Sequence, residues 1–158
     1  MAGREPLRVE RQGSVARVTL ARPERRNAFD QELIEALAQA FREVGDARAV
    51  VLAGEGTSFC AGADIEWMRD AASLSYADNV ADAFRLHEML QAIDSCPAPV
   101  LARVQGHAFG GGLGLLCASD IVVAAESALF AFPEVRLGLV PAVVSPLVLA
   151  RIGPGAAR

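Results

Sequence analysis

Short apolar runs that alternate with helical patterns constrain the fold of this chain more than any other feature. Two units, residues 49–69 and 100–118, each combine an apolar run, a glycine-rich loop and a helical pattern. Apolar runs separated by helices are typical of parallel strands whose two faces are both covered. Sheets of this kind bind ligands at the carboxyl ends of their strands. The sequence therefore predicts an α/β architecture in which two glycine-rich loops face one ligand.

The rest of the chain supplies further elements of the same architecture. Alternating residues predict an N-terminal hairpin over residues 7–20, and Asp30 is a suitable N-cap for an amphipathic helix that ends near Gly45. The other predicted elements are a helix over residues 76–93, a buried strand at 121–125, a short strand at 128–132 and a last helix from about residue 143. With 158 residues and no linker, residues 1–158 fit a single domain.

The charge pattern excludes several classes of function. All 15 basic residues are arginine, so no lysine is available for a phosphate-binding P-loop or for Schiff-base chemistry. The net charge is −4 and the only basic pair is Arg25 and Arg26, which gives no footprint for nucleic acid. We therefore expect a partner other than nucleic acid.

Several observations predict a cytoplasmic protein. Residues 1–13 are too charged for a secretory signal, and Asp120 interrupts the longest apolar stretch well short of a membrane span. The three cysteines are odd in number and lack the spacing of metal ligands. They predict reduced, mostly buried thiols, no structural disulfide and no metal site.

Three consecutive glycines, Gly110 to Gly112, stand directly before a helical apolar run that also contains Gly114. Each glycine in a helix costs about 1 kcal/mol relative to alanine, so the cluster needs a reason. Glycines permit a close approach to the backbone, and the first turn of a helix carries unpaired N–H groups that attract anions. The run is therefore a candidate anion site.

Few side chains in the sequence could act as catalysts. The chain lacks the dinucleotide fingerprint and the serine-hydrolase elbow. His87 and His107 fit structural roles, and Cys60 lacks a visible base that would activate it. Glu134 follows an apolar strand and a proline; by residues alone, the favoured interpretation is a surface turn in which it pairs with Arg136.

Four motifs in order resemble the enoyl-CoA hydratase/isomerase (crotonase) family, and together they cover nearly the whole chain. The first is RPERRNAF at residues 22–29, and the second is SFCAGADI at 58–65. The third is GHAFGGG at 106–112 with Ser-Asp at 119–120, and the fourth is FPEVRLGLVP at 132–141. The turn and the segment after it are most similar to bacterial methylglutaconyl-CoA-type hydratases of branched acyl-CoAs.

The resemblance implies a spiral of ββα units, assembled as a trimer or a pair of trimers, and a site for an acyl-CoA thioester. By position in the motifs, the backbone N–H groups of Ala63 and Gly111 would form an oxyanion hole, and Glu134 would be the general acid/base. Coenzyme A would enter only as part of the substrate, with no other cofactor. The residues implied to contact the CoA and acyl portions of the substrate are Ala28, Ala61, Asp64 and Ile65. The CoA phosphates would contact Arg26 or Arg25.

Three features depart from the family pattern. The best-known hydratases of the family use a second glutamate where this chain has Gly114, and a basic residue is common where it has Glu66. A hydratase is still ranked first, because of the similarity to methylglutaconyl-CoA-type hydratases. An isomerase is second, because a single glutamate suits it, and a non-catalytic acyl-CoA-binding homologue is third. The chain also ends before the C-terminal helices that the family pattern implies, so we expect this C-terminal helical part to be missing.

Overall fold

A five-stranded sheet forms the base of the structure, a computed structural model that describes residues 5–158. Met1–Arg4, part of the charged N-terminal segment used to argue against a secretory signal, lie outside the described residues. The sheet order is β1-β2-β3-β4-β6, antiparallel between β1 and β2 and parallel elsewhere. The strands are β1 (Leu7–Gln12), β2 (Val15–Leu20), β3 (Ala49–Gly54), β4 (Val100–Val104) and β6 (Ile121–Ala124). The predicted α/β class, with largely parallel pairing, is confirmed.

A small second layer turns the chain into a spiral. Strands β5 (His107–Phe109) and β7 (Leu129–Ala131) pair in parallel, and single parallel bridges join Cys60 to Ala108 and Phe29 to Ala63. Each turn of the chain thus places one segment in the large sheet and one in the small layer before a helix follows. This repetition is the spiral of ββα units that the family resemblance implies.

The described residues form five α-helices. They are α1 (Gln31–Arg42), α2 (Ile65–Ala71), α3 (Tyr76–Asp94), α4 (Gly111–Ala118) and α5 (Ser145–Ala157). Asp30 caps α1 as predicted, because its Oδ1 accepts a hydrogen bond of 3.2 Å from the Leu33 N–H. Helix α5 starts two residues later than predicted and is interrupted at Gly153, where φ is +75°.

The core lies between the sheet and the helices α1 and α3. Leu33, Leu37 and Phe41 project from α1 at helical spacing and are fully or almost fully buried. In the sheet, Val18 is opposite Leu52, and Leu52 is opposite Ala102, so that these side chains form one buried row. This packed base holds the strand ends and the loops that follow them in fixed positions.

The prediction that residues 121–125 form a buried strand is wrong about burial. The strand exists as β6, but all four of its residues are exposed. It lies at the edge of the large sheet, and within residues 5–158 no helix covers it. An apolar run identifies a strand, whereas burial depends on what packs beside it.

Candidate active site

The glycine run and the Pro-Glu turn meet at the end of the small sheet. Strand β5 leads into Gly110, and β7 leads through Phe132 into a 3-10 turn, Pro133–Leu137. The Gly110 N–H donates a hydrogen bond of 2.9 Å to the Ala131 carbonyl, which continues the β5–β7 pairing into both loops. Two segments that are more than twenty residues apart in sequence are therefore placed side by side.

Gly110 leaves room for the carboxylate of Glu134. A Cβ atom built on Gly110 would lie 2.6 Å from Glu134 Oε1, so only glycine is compatible with this arrangement. The backbone of Gly110 has φ +52° and ψ −121°, a conformation that residues with a side chain rarely adopt. The close approach predicted from the glycine run is thus made, at Gly110, by a carboxylate of the same chain.

Glu134 does not form the predicted surface ion pair with Arg136. The residue is half-buried, and its Oε2 is buried without a hydrogen-bond partner in the described part of the chain. The turn-and-pair interpretation is therefore wrong, because β7 carries the turn against the glycine run instead of into solvent. A buried carboxylate oxygen without a protein partner has its hydrogen-bonding capacity available for a ligand or water.

Ala63 and Gly111 line the same cleft as Glu134. Gly111 is the first residue of α4, where an N–H has no acceptor within the helix. Hydrogen bonds of 2.9 Å from Phe29 N–H to Gly62 O and from Asp64 N–H to Phe29 O flank Ala63 and leave its own N–H unused. Across residues 5–158, neither N–H donates to another protein group.

The two glycine-rich loops, which the sequence predicts to face one ligand, are in direct contact with each other. A Cβ atom on Gly62 would lie 2.8 Å from the Phe109 carbonyl oxygen and 3.4 Å from Gly111 N. A Cβ atom on Gly111 would collide with Phe29 Cζ. Close backbone packing between the loops therefore places Ala63 and Gly111 on the lining of one cleft.

The cleft itself is almost entirely apolar. Its volume is about 230 Å³, and Glu134 is the only charged residue among the described residues that line it. The apolar wall includes Met68, Leu86, Leu139, Val140, Val143 and Val144. An apolar group of a ligand fits this environment.

A second cleft, of about 390 Å³, adjoins the first through Ala61 and Ala63, which line both. The remaining residues that line the second cleft are Arg25, Arg26, Ala28, Asp64, Ile65 and Glu66. The structure thus brings all the implied site residues to two adjacent clefts: Glu134 and Gly111 line only the first, and Arg26, Ala28, Asp64 and Ile65 line only the second.

Asp64 has a clear structural role in the second cleft. Its Oδ1 caps α2 by accepting from the N–H groups of Glu66 (2.9 Å) and Trp67 (3.4 Å), and its Oδ2 lies 2.9 Å from Arg25 Nη1. Burial acts to raise the pKa of Asp64, but the hydrogen bonds from Arg25, Glu66 and Trp67 together outweigh it and hold the pKa below its ordinary value.

Gly114, where the family pattern has a second glutamate, lies in a filled space. A Cβ atom there would be 2.7 Å from Val144 Cγ1 and 3.3 Å from Leu90 Cδ2. Val144 directly precedes α5 and is 3% exposed. The second carboxylate is therefore absent, and its position is packed with methyl groups.

Sequence reasoning gave no role to Asn27, which positions the loops around the site. The residue is fully buried with φ +55°, a conformation in which asparagine is enriched. Its Oδ1 accepts from Arg22 N–H (2.9 Å), and its Nδ2 donates to the carbonyls of Glu55 (2.8 Å) and Ser58 (2.9 Å). The signal in the sequence was an asparagine in a polar loop, which also fits an ordinary turn.

The sequence predicts mostly buried thiols, but only Cys60 is buried, and Cys96 and Cys117 are half-buried. Burial raises the pKa of the Cys60 thiol to about 12, so this buried thiol is protonated at neutral pH. All three cysteines are free, and His107 Nδ1 lies 3.2 Å from Ser58 Oγ.

Among the described residues, no three His, Cys, Asp or Glu side chains are grouped as metal ligands would be. No helix in residues 5–158 is both long and apolar enough to span a membrane.

Comparison with known proteins identifies the family. The family model described as Enoyl-CoA hydratase/isomerase matches residues 10–158. The chain belongs to the enoyl-CoA hydratase/isomerase family.

Among curated relatives, "Probable enoyl-CoA hydratase echA6" of Mycobacterium tuberculosis is 45% identical over 128 residues, which are 80% of this chain and 49% of that protein. "Enoyl-CoA hydratase AKT6-1" of Alternaria alternata is 37% identical over 153 residues, 95% of this chain and 49% of its own length. The chain thus spans about half the length of these relatives.

Solved structures confirm the crotonase fold. An enoyl-CoA hydratase from Shewanella pealeana superimposes with a TM-score of 0.93 at 41% identity and covers 97% of this chain and 59% of its own. AtuE of Pseudomonas aeruginosa has a TM-score of 0.94 at 36% identity, with 98% and 61% covered. At these identities the likeness extends to the sequence as well as the fold.

Proposed function

We propose that the protein is an enoyl-CoA hydratase that adds water to the double bond of an acyl-CoA thioester. The N–H groups of Ala63 and Gly111 would bind the thioester oxygen, and Glu134 would be the single general acid/base. The observation that carries the proposal is the position of the Glu134 carboxylate against Gly110, in a cleft also lined by Ala63 and Gly111, whose N–H groups have no acceptor among the described residues. The family and its relatives named as hydratases support the reaction class.

The proposed reaction needs stabilisation of an enolate and two proton transfers. Addition at C3 moves negative charge onto the thioester oxygen, and each N–H donor to that charge contributes about 3 kcal/mol, roughly a hundredfold in rate. Glu134 accepts a proton from water as the water oxygen bonds to C3. It then returns that proton to C2, so that the carboxylate is regenerated and the atoms of one water molecule are added to the substrate.

An isomerase is the second candidate, and the filled space at Gly114 favours it. With methyl groups of Val144 and Leu90 at that position, no second carboxylate is available to hold a water molecule there. One carboxylate suffices to take a proton from C2 of a 3-enoyl thioester and return it to C4, which gives the 2-enoyl ester. A non-catalytic acyl-CoA-binding protein is the third candidate, because the same missing carboxylate would suit binding without turnover.

The acyl group of the proposed substrate is branched and uncharged. The sequence similarity to methylglutaconyl-CoA-type hydratases supports a branched chain. The cleft, however, contains no cation among its described lining residues, and a terminal carboxylate would face Glu134. Two like charges in an apolar cleft repel each other and lose hydration.

We further propose a cytoplasmic protein that assembles as a homotrimer or a pair of trimers. The family resemblance supports the assembly. The family supports an acyl-CoA ester as the partner.

The test compares Glu134→Gln with the unmodified protein on a panel of 2-enoyl- and 3-enoyl-CoA esters. We expect loss of turnover by at least about a hundredfold, since a proton acceptor is lost, with the dissociation constant for a saturated acyl-CoA changed little. Glu126→Gln, at an exposed acid outside both clefts, is the control. Near-normal turnover by Glu134→Gln would refute the assignment, and binding without any turnover in the unmodified protein would favour the binding protein.

Loss of the double bond and its migration are followed separately in the same panel. Formation of a 3-hydroxyacyl-CoA identifies the hydratase. Conversion of the 3-enoyl to the 2-enoyl ester without hydration identifies the isomerase.

A further inference from the structure

The second cleft has an unusual balance of charge. It is lined by two cations, Arg25 and Arg26, and by two anions, Asp64 and Glu66. Arg25 Nη1 lies 2.9 Å from Asp64 Oδ2 and 3.3 Å from Glu66 Oε2, so both carboxylates are directed at one guanidinium. The charge of Arg25 is therefore compensated within the protein before any ligand binds.

Arg26 differs from its neighbour. Its side chain is exposed, and in the described part of the chain it has no ion-pair partner. It follows Arg25 at φ +52°, at the end of the 3-10 turn Pro23–Arg25. Of the two arginines in this cleft, only Arg26 is free to bind an anion.

The two clefts define the direction of an acyl-CoA, if the proposed function is correct. The thioester would lie at the shared wall, Ala61 and Ala63, next to Gly111. The acyl group is apolar and fits the first cleft, so the pantetheine arm and its phosphates must leave through the second. The phosphates then pass Arg25, Arg26 and Glu66.

We propose that Glu66 is a specificity-determining residue, which weakens recognition of the CoA phosphates by repelling them and by adding to the hold of Asp64 on Arg25, and that Arg26 is the phosphate contact. The inference rests on the proposed function for the direction of the substrate. It predicts a protein whose preference for CoA over a pantetheine thioester without phosphates is small. Glu66 sets this preference without touching the reacting atoms.

The size of the effect follows from exposure. The Glu66 side chain is 73% exposed, and that of Arg25 is 44% exposed. One unit charge removed at about 7 Å from a phosphate, in solvent of high dielectric constant, changes an affinity about threefold. Salt screens charges at this distance, so the change disappears at about 1 M salt.

The experiment measures KM for 2-methylcrotonyl-CoA, a branched and uncharged ester, and for 2-methylcrotonyl-pantetheine, which lacks phosphates. The proteins compared are the unmodified protein, Glu66→Gln, Arg26→Gln and the Glu126→Gln control. Glu66→Gln should lower the KM for the CoA ester about threefold, and Arg26→Gln should raise it. Both variants should leave the KM for the pantetheine ester unchanged. The same variants are titrated with free CoA by calorimetry, so that the inference is tested even if the protein catalyses nothing.

An unchanged CoA affinity in Glu66→Gln would overturn the inference, as would an equal change for the pantetheine ester. Absence of turnover in the unmodified protein, with the expected shift in CoA affinity, would refute the proposed reaction and leave the role of Glu66 standing. A larger loss on Arg25→Gln than on Arg26→Gln for free CoA would overturn the assignment of Arg26.

Discussion

The packing of Val144 against Gly114 can be tested as a thermodynamic coupling. In Gly114→Ala, the new methyl group would lie 2.7 Å from Val144 Cγ1 and 3.3 Å from Leu90 Cδ2. Overpacking of this kind costs about 1–3 kcal/mol, whereas alanine gains about 1 kcal/mol over glycine within a helix. We expect Gly114→Ala to lower the free energy of unfolding by up to about 2 kcal/mol.

Val144→Ala provides the second arm of the cycle. Val144 is 3% exposed, and the loss of two buried methyl groups costs about 1.6 kcal/mol before any cavity cost is added. In the double variant, the methyl group introduced at position 114 enters the space that Cγ1 vacates, so each change relieves the other. The double variant should therefore be more stable than the sum of the single effects predicts, by about 1–3 kcal/mol.

Urea unfolding gives the free energy of unfolding of the unmodified protein, the two single variants and the double variant. It is followed by the fluorescence of Trp67, the single tryptophan. The matched control is Gly155→Ala, since a Cβ atom on Gly155 would have nothing within 4 Å, and it should combine additively with Val144→Ala. If Gly114→Ala and Val144→Ala also add within about 0.5 kcal/mol, Val144 does not fill the space at Gly114 and the reasoning fails.

Three further predictions concern the site and its surroundings. Gly110→Ala places a methyl group 2.6 Å from Glu134 Oε1 and should lower kcat about a hundredfold, measured by steady-state kinetics; a loss below about tenfold would contradict it. Because burial raises the pKa of the Cys60 thiol to about 12, alkylation at pH 8, followed by mass spectrometry, should leave Cys60 unmodified while the half-buried Cys96 reacts; equal modification of the two would contradict it. Because the pKa of Asp64 is lowered in the folded protein, its carboxylate stabilises the fold above the unfolded pKa, about 4, and this contribution is lost as pH falls through the folded pKa. The difference in unfolding free energy between the unmodified protein and Asp64→Asn, measured by urea unfolding, should therefore shrink from pH 7 to pH 3. A constant difference would exclude the effect.

Local patterns predicted the elements of the fold because their causes are local. The apolar periodicity and the Asp30 cap lie within or next to α1, and the strands are short apolar runs. The exposure of β6 was not predictable in this way, because burial depends on what lies beside the last strand of the sheet. Its apolar side chains indicate a strand equally well in either environment.

The position of Glu134 shows the same limit at the candidate site. From neighbouring residues, the favoured partner was Arg136, two positions along the chain. The actual neighbour is Gly110, which only the pairing of β5 with β7 brings close. Family motifs suggested the two together, but the physical cause is a long-range strand pairing that no short stretch of sequence contains.

Gly110 and Gly114 lie one helical turn apart and have opposite consequences for the proposed chemistry. At Gly110 the missing side chain makes room for a carboxylate, whereas at Gly114 the missing side chain makes room for the methyl groups of Val144. If only Gly114 were replaced by glutamate, the new side chain would collide with Val144. A second carboxylate in the site therefore requires changes at both Gly114 and Val144. If the protein is a hydratase, Glu134 must therefore both accept a proton from water and deliver one to C2, since the packing around Gly114 leaves no place for a second acid.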